Sequence, residues 1–213
     1  MTTIITCEQR SDEWFKARLG RLTSSRASDA FATLKSGKGE AASRRNLRVS
    51  LALERLTGQP CEDRYSNKHM DRGVELEPEA VAVYEATKGV FVERVGFIAH
   101  DELMAGYSPD GLVEPDGLIE CKAPIPAVHL GYWRDGIPGD YLTQIRHALW
   151  MTGRAWADFV SYCTAFPEDM QLYVKRVYAL DLDIPGYERD VRAFLADVDK
   201  ELAAIEAMRK QVA

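Results

Sequence analysis

The apolar positions of this chain follow helical spacing towards both ends and strand-like runs in the middle. Ser11 precedes Trp14, Phe15, Arg18 and Leu19, and Gly20 follows, which predicts a short capped helix ended by glycine. A second helix is predicted from about Thr23–Ser25 to Phe31, and a third over about Ala41–Leu56, stopping before Gly58. A fourth, near Asn67–Thr87, carries an apolar stripe at Met70, Val74, Val81 and Tyr84. Three β-type segments follow, about Val90–Ala99, Ala105–Val113 and Gly117–Lys122, the last two joined by the turn signature Pro115-Asp116-Gly117. Ala123-Pro124 ends the last of these, because proline removes a ladder donor. A Gly- and Pro-rich loop leads to a helix near Tyr141–Met151, closed by Gly153, then to strands near Trp156–Cys163 and Leu172–Leu180. The last helix opens at Pro185, a favoured first-turn position, and repeats Tyr187, Val191, Phe194, Val198, Leu202 and Ile205 at helical spacing. That face reads as packing or assembly surface rather than chemistry.

This order predicts an α/β (α+β) chain with a small central mixed β-sheet flanked by helices. At 213 residues a single domain is expected, with an N-terminal helical part over about 1–60 and the C-terminal helix over about 185–211. An apolar fraction of 46% and a charged fraction of 28% are ordinary for a globular protein. The stretch Lys35–Glu40 (KSGKGE) reads as a mobile basic loop. No apolar run approaches membrane-spanning length, and the start, MTTIITCEQR, lacks a basic segment followed by an apolar one, so no membrane association and a cytoplasmic location are expected. Cys7, Cys61, Cys121 and Cys163 are scattered, which argues against a zinc ribbon or disulfide framework and fits reduced thiols.

The net charge of −6 is unpromising for a nucleic-acid binder, but it is unevenly spread. Residues 1–60 carry eleven Lys or Arg against six Asp or Glu, a net of +5; the remainder carries sixteen against twenty-seven, a net of −11. A basic N-terminal third can supply a phosphate-facing surface. Solvated helix faces of arbitrary composition give the same numbers.

The candidate chemistry lies in Tyr107–Pro124, YSPDGLVEPDGLIECKAP. Residues two apart on a strand share a face, so Glu120 and Lys122 project together while Ile119 and Cys121 face the other way. A hairpin pairing lets Asp110 join them. Two carboxylates and an ammonium on one side of a sheet suit a hard divalent ion such as Mg²⁺ beside a phosphodiester. Asp110 and Glu120 would supply carboxylates and the Cys121 backbone carbonyl a third oxygen, with the Cys121 thiol as core filler. Lys122 would orient or deprotonate the attacking water, or stabilise charge on the phosphate. The bare spacing of acid and Glu-x-Lys is common by chance in an acidic chain; its placement on two joined strands, interrupting apolar runs, is what singles it out. Ser108 is either a phosphate donor or a turn-former before Pro109, and Gln144 either a neutral donor reaching the site or an exposed helix residue. Glu77 falls on the fourth helix's apolar stripe, where it needs a metal, a metal-bound water or a basic side chain unless it reaches solvent at the edge. His69, His100, His129 and His147 lack metal-ligand spacing, and there is no Walker-type loop, dinucleotide fingerprint or Gly-x-Ser-x-Gly.

From about Gln9 to the last helix, the chain resembles the phage lambda-type exonucleases of the YqaJ viral recombinase family, within the PD-(D/E)xK nuclease superfamily. The resemblance is carried by QRSDEWFKARLGRLTSS, RGVELEPEA, YSPDGL, LIECKAP and YLTQIRHALWMTG. It implies a restriction-endonuclease-like core and a Mg²⁺-dependent 5′→3′ exonuclease, with Mn²⁺ as possible substitute. Such an enzyme degrades one strand of linear double-stranded DNA to mononucleotides and leaves a 3′ overhang for phage-type recombination. By the same resemblance Asp110, Glu120 and the Cys121 carbonyl bind metal, and Lys122 is the catalytic lysine. Glu77 matches an additional active-site glutamate. Arg18 matches the arginine that binds a terminal 5′-phosphate, with Ser25, Ser108 and Gln144 assisting near phosphate and Trp14 helping to hold the DNA end. A ring-shaped homotrimer and a single-strand annealing recombinase partner are implied as well; in a ring only the channel need be basic. The region about 60–70 matches less clearly, so residues that separate the strands are not assigned. The alternatives are a PD-(D/E)xK endonuclease of different geometry and a non-catalytic DNA-end-binding recombination scaffold.

Overall fold

The computed structural model describes residues 1–34, 39–61 and 68–212, with the side chains at 68–71, 74 and 212 excepted. The basic loop expected over Lys35–Glu40 thus lies outside the described residues save for Gly39 and Glu40, as do the stripe side chains Met70 and Val74 and most of the region about 60–70.

The described elements are β1 (Thr2–Ile5), α1 (Asp12–Arg18), β2 (Leu22–Thr23), α2 (Ala27–Ala30), α3 (Ala42–Thr57), α4 (Lys68–Lys88), β3 (Val92–Glu93), β4 (Phe97–His100), β5 (Ala105–Tyr107), β6 (Gly111–Val113), β7 (Gly117–Lys122), α5 (Pro126–Asp135), α6 (Gly139–Thr152), β8 (Trp156–Tyr162), β9 (Leu172–Tyr178) and α7 (Ile184–Val212). The mixed sheet expected from the sequence has the order β3-β6-β7-β8-β9, with β7 and β8 parallel and the other neighbours antiparallel. A smaller mixed sheet, β1-β4-β5-β2, lies beside it.

The second sheet exists because two predicted strands break. The segment read as Val90–Ala99 stops at Glu93 and resumes at Phe97 in the other sheet, and that read as Ala105–Val113 breaks between Tyr107 and Gly111. Pro109 cannot donate to a ladder, which accounts for the second break. At the first, Gly96 passes so close to Cys7 that a Cβ would lie 2.3 Å from its carbonyl oxygen. Gln9 fastens the two breaks together, its side-chain nitrogen donating to the Val95 carbonyl at 3.1 Å and the Pro109 carbonyl at 2.7 Å. Alternation along β7 then sorts its residues onto two faces. Leu118 packs in the larger core with Ile145, Leu149 and Phe194, while Ile119 and Cys121 pack with Val81 and Tyr84 of α4. The Cys121 thiol is core filler, as expected.

Helix α5 occupies the segment read as a loop. Pro126 and Gly131 hid it, yet proline is compatible with a first helical turn, and buried His129 and Tyr132 dock it. The edge strand β1, mostly exposed and without alternation, was not foreseen either. Helix α7 buries Tyr187, Val191, Phe194, Leu195 and Val198, the packing role read from its period. It also pairs with α3: Arg44–Asp197 at 2.9 Å, Arg48–Glu201 at 3.0 Å and Arg55–Asp199 at 2.7 Å. Arg44 and Arg48 both reach Glu40 as well. Of the two readings of the basic N-terminal third, Arg44, Arg48 and Arg55 thus fit neither a free phosphate-facing surface nor unpaired solvated faces, since each is matched by a carboxylate of α7.

Candidate active site

Asp110 is the last residue of the β5–β6 break, and Glu120, Cys121 and Lys122 end β7 beside it. The last paired register is Gly111 opposite Ile119, so beyond that point the β7 edge has no strand partner from β6. Asp110 takes its place: the Cys121 N–H donates to Asp110 Oδ2 at 2.7 Å. A strand residue's N–H and C=O point to the same edge, so the Cys121 carbonyl also lies on the Asp110 side. Glu120 is 2% exposed, and its Oε1 accepts from Gln144 Nε2 of α6 at 2.6 Å and from Lys122 Nζ. Gln144 thus faces the site rather than solvent. Lys122 also sits 5.1 Å from the centre of the Tyr141 ring, a cation–π contact the sequence did not announce.

The charges explain one another. Burial pushes the Asp110 carboxyl well above the usual range, Glu120 adds to this, and Lys122 opposes it. Burial alone would lower Lys122, but Glu120 and Asp110 outweigh it, so its ammonium is held more tightly than normal. Glu77, on α4 just before the intrahelical Pro78, is half-buried at the rim of the site and has a basic partner. Arg94 donates to its Oε1 at 2.6 Å, one of the compensations the sequence left open.

The second half of the site is built on α1. Ser11 caps the helix, accepting from the Trp14 N–H at 3.2 Å. Trp14 and Arg18, four apart, share a face, with the guanidinium 4.2 Å from the indole ring centre. Both donate to Ser108 Oγ, from Trp14 Nε1 at 3.0 Å and from Arg18 at 2.8 Å. Ser25 is exposed, 3.4 Å from the Thr23 hydroxyl, which lies 3.5 Å from Arg18. Burial, with Arg26 acting in the same direction and Glu54 against, lowers the Arg18 pKa to about 10. Among the described residues no carboxylate forms an ion pair with Arg18, so the site offers a desolvated cation without a counter-ion.

One cavity of about 670 Å³ is lined by all nine of the side chains singled out in the sequence, with Cys121 as well. The sequence missed Gln9, Arg10, Tyr141 and Arg94. Gln9 falls inside the N-terminal motif; nothing marked Arg94 in a chain with this many charges. His129 and His147 are fully buried and bond to Ser161 and Tyr187 respectively, so neither borders a groove.

A model of the YqaJ-like viral recombinase domain matches residues 13–155, a span that contains every candidate site residue. The chain belongs to this family. The alkaline exonuclease LHK-Exo from Laribacter hongkongensis has the same fold. Its crystal structure is 39% identical with a TM-score of 0.84, covering 95% of this chain and 100% of that one. The same exonuclease in complex with dAMP aligns at 40% identity and a TM-score of 0.86 over the same shares. A phage-related exonuclease from Haemophilus somnus 129PT, at 15% identity and a TM-score of 0.66 over 87% of this chain and 96% of that one, shares the fold. No curated protein matches the sequence. Among the described residues, no helix is long and apolar enough to cross a membrane.

Proposed function

We propose that this chain is a Mg²⁺-dependent 5′→3′ exonuclease that degrades one strand of linear double-stranded DNA to mononucleotides and leaves a 3′ overhang. The observation that carries the reading is the three-residue segment Ser108–Asp110. Its first residue bonds Arg18 and Trp14, and its last is tied to the acid pair's strand. A cation with no ion-pair partner among the described residues is thereby fixed, through Ser108, two residues from Asp110, which is what an enzyme starting at a phosphorylated end requires. Support also comes from LHK-Exo, an alkaline exonuclease by name whose structure is also known in complex with dAMP, a nucleoside monophosphate.

Asp110, Glu120 and the Cys121 carbonyl would hold Mg²⁺ or Mn²⁺. Among the described residues no three His, Cys, Asp or Glu side chains form a cage. Mg²⁺ does not need one, since it keeps several waters and takes one or two carboxylates plus substrate oxygens. When bound, the ion activates water and neutralises charge on the scissile phosphate. Lys122 orients the attacking water and stabilises charge on the phosphate, Gln144 fixes Glu120, and Glu77 assists from α4. Arg18, Ser108 and Ser25 receive the terminal 5′-phosphate, and Trp14 holds the DNA end. By family resemblance the active assembly is a homotrimer in the cytoplasm, handing its overhang to a single-strand annealing recombinase.

The test is digestion of linear duplex bearing 5′-phosphate or 5′-hydroxyl ends, with Mg²⁺ or with EDTA, beside Asp110→Ala and a covalently closed circle. Mononucleotides released from 5′-phosphorylated ends, only with the metal and only by the unmodified protein, are expected. Cutting of the closed circle would point to an endonuclease, and binding of ends without turnover to a scaffold.

A further inference from the structure

Arg94 lies in the β3–β4 break, directly across from the β5–β6 break that carries Asp110. One of its nitrogens makes two bonds, to Glu77 Oε1 at 2.6 Å and to the Asp110 backbone carbonyl at 2.7 Å. It therefore joins three elements of the site: α4 through Glu77, the Asp110 segment, and the first break through its own backbone. We propose that Arg94 is the positioning residue of Glu77, fastening the carboxylate of α4 to the backbone of the Asp110 break. The inference rests on the nuclease reading above.

Two observations separate this role from the obvious one, a contact with a DNA phosphate. Arg94 faces a second cavity, of about 680 Å³, that shares Gln9, Arg10 and Glu77 with the first. Its charged lining is Glu8, Glu77 and Glu93 against Arg10 and Arg94, which leaves no excess of positive charge to draw a phosphate. In addition, the Arg94 nitrogen is already committed to a carboxylate and a backbone carbonyl, whereas the Arg18 guanidinium bonds the neutral hydroxyls of Ser108 and Thr23. Without Arg94, Glu77 would stand as a third carboxylate beside Asp110 and Glu120 with only Lys122 to balance them, and its rotamer would be free to swing away. Glu77 also precedes Pro78, which lacks the N–H that would donate to the carbonyl four residues earlier, so the helix backbone alone holds this region less firmly.

The experiment is a double-mutant cycle on the full chain, with kcat and KM on linear 5′-phosphorylated duplex and end binding in EDTA by fluorescence anisotropy. Arg94→Ala should lower kcat about tenfold to a hundredfold, the scale of an active-site misplacement. KM and metal-free end binding should stay as in the unmodified protein. Arg94→Lys, which keeps charge but loses the planar fork, should fall between the two, and it carries the test if Arg94→Ala melts early. The deciding comparison is Glu77→Gln with Glu77→Gln/Arg94→Ala. Equal kcat supports the inference, because Arg94 then acts only through Glu77. Multiplicative losses, or weakened end binding in Arg94→Ala, would overturn it in favour of an independent or phosphate-binding role, and so would unchanged kcat. Active unmodified protein with fully active Arg94→Ala defeats this inference alone; inactive unmodified protein defeats the nuclease reading and this inference with it.

Discussion

The arginines of α3 and the arginine of α1 come from the same basic third of the chain and have opposite fates. Arg44, Arg48 and Arg55 end in carboxylates of α7, and two of them share Glu40. Arg18 ends on the Ser108 and Thr23 hydroxyls and an indole face, and among the described residues it forms no ion pair with a carboxylate. Counting charge treats these residues alike. The fold separates them, because a paired guanidinium has little left to offer a phosphate, whereas a desolvated, unpaired one gains most from an arriving anion.

The comparison can be tested from its strongest consequence downward. Lys122→Ala should remove turnover by roughly 10²–10⁴-fold, the range of a lost acid–base or charge-stabilising group, while end binding through α1 persists. Loss of both together would merge two halves of the site that we hold to be separable. Arg18→Ala should cost about 10–100-fold on 5′-phosphorylated ends, matching about 1.5–3 kcal/mol for a charged hydrogen bond, and much less on hydroxyl ends. Equal loss on both substrates would remove its discriminating role. Arg48→Ala, on the other side of the comparison, should lower stability by about 1 kcal/mol or less in a denaturant melt and leave digestion rates unchanged. A drop in rate would mean that the α3 face also touches DNA.

Acid should expose the same difference. Glu40 and Asp197 have folded pKa values below their ordinary 4.5 and 3.8. Glu40 is lowered because bonds to Arg44 and Arg48 overcome its burial, and Asp197 by bonds to Lys200 and then Arg44. A depressed carboxylate contributes stability that is complete above its unfolded pKa and lost as pH falls through the folded one. The α3–α7 seam should thus hold above about pH 4.5 and weaken below about 3.8. Thermal melts across that window should show the loss shrink in Arg44→Ala.

The readable parts of the sequence were those set by local period. The α3 and α6 spans, their Gly58 and Gly153 ends and the two faces of β7 follow from spacing and glycine at positive φ. The turn at Pro115-Asp116-Gly117 was equally local. Helix α5 was lost because Pro126 and Gly131 carry the same letters in a loop as in a helix that tolerates them. The strand breaks at 94–96 and 108–110 were lost because β-type residues flank each break on both sides, while the hydrogen-bonding partner changes sheet across it. Glu77 was legible as an anomaly, an acid on an apolar stripe, but its partner seventeen residues later was not.

By itself the sequence marked Asp110, Glu120 and Lys122 as candidates through their spacing, and Arg18 and Trp14 through the resemblance to the family. It also carried the family, through motifs that span most of the chain. Only the tertiary structure decided which charges are committed and which remain available. That depends on contacts such as Arg44 with Asp197, 153 residues apart, and Arg18 with Ser108, 90 apart. Electrostatic energy follows distance and burial in space, and neither can be read from position along the chain.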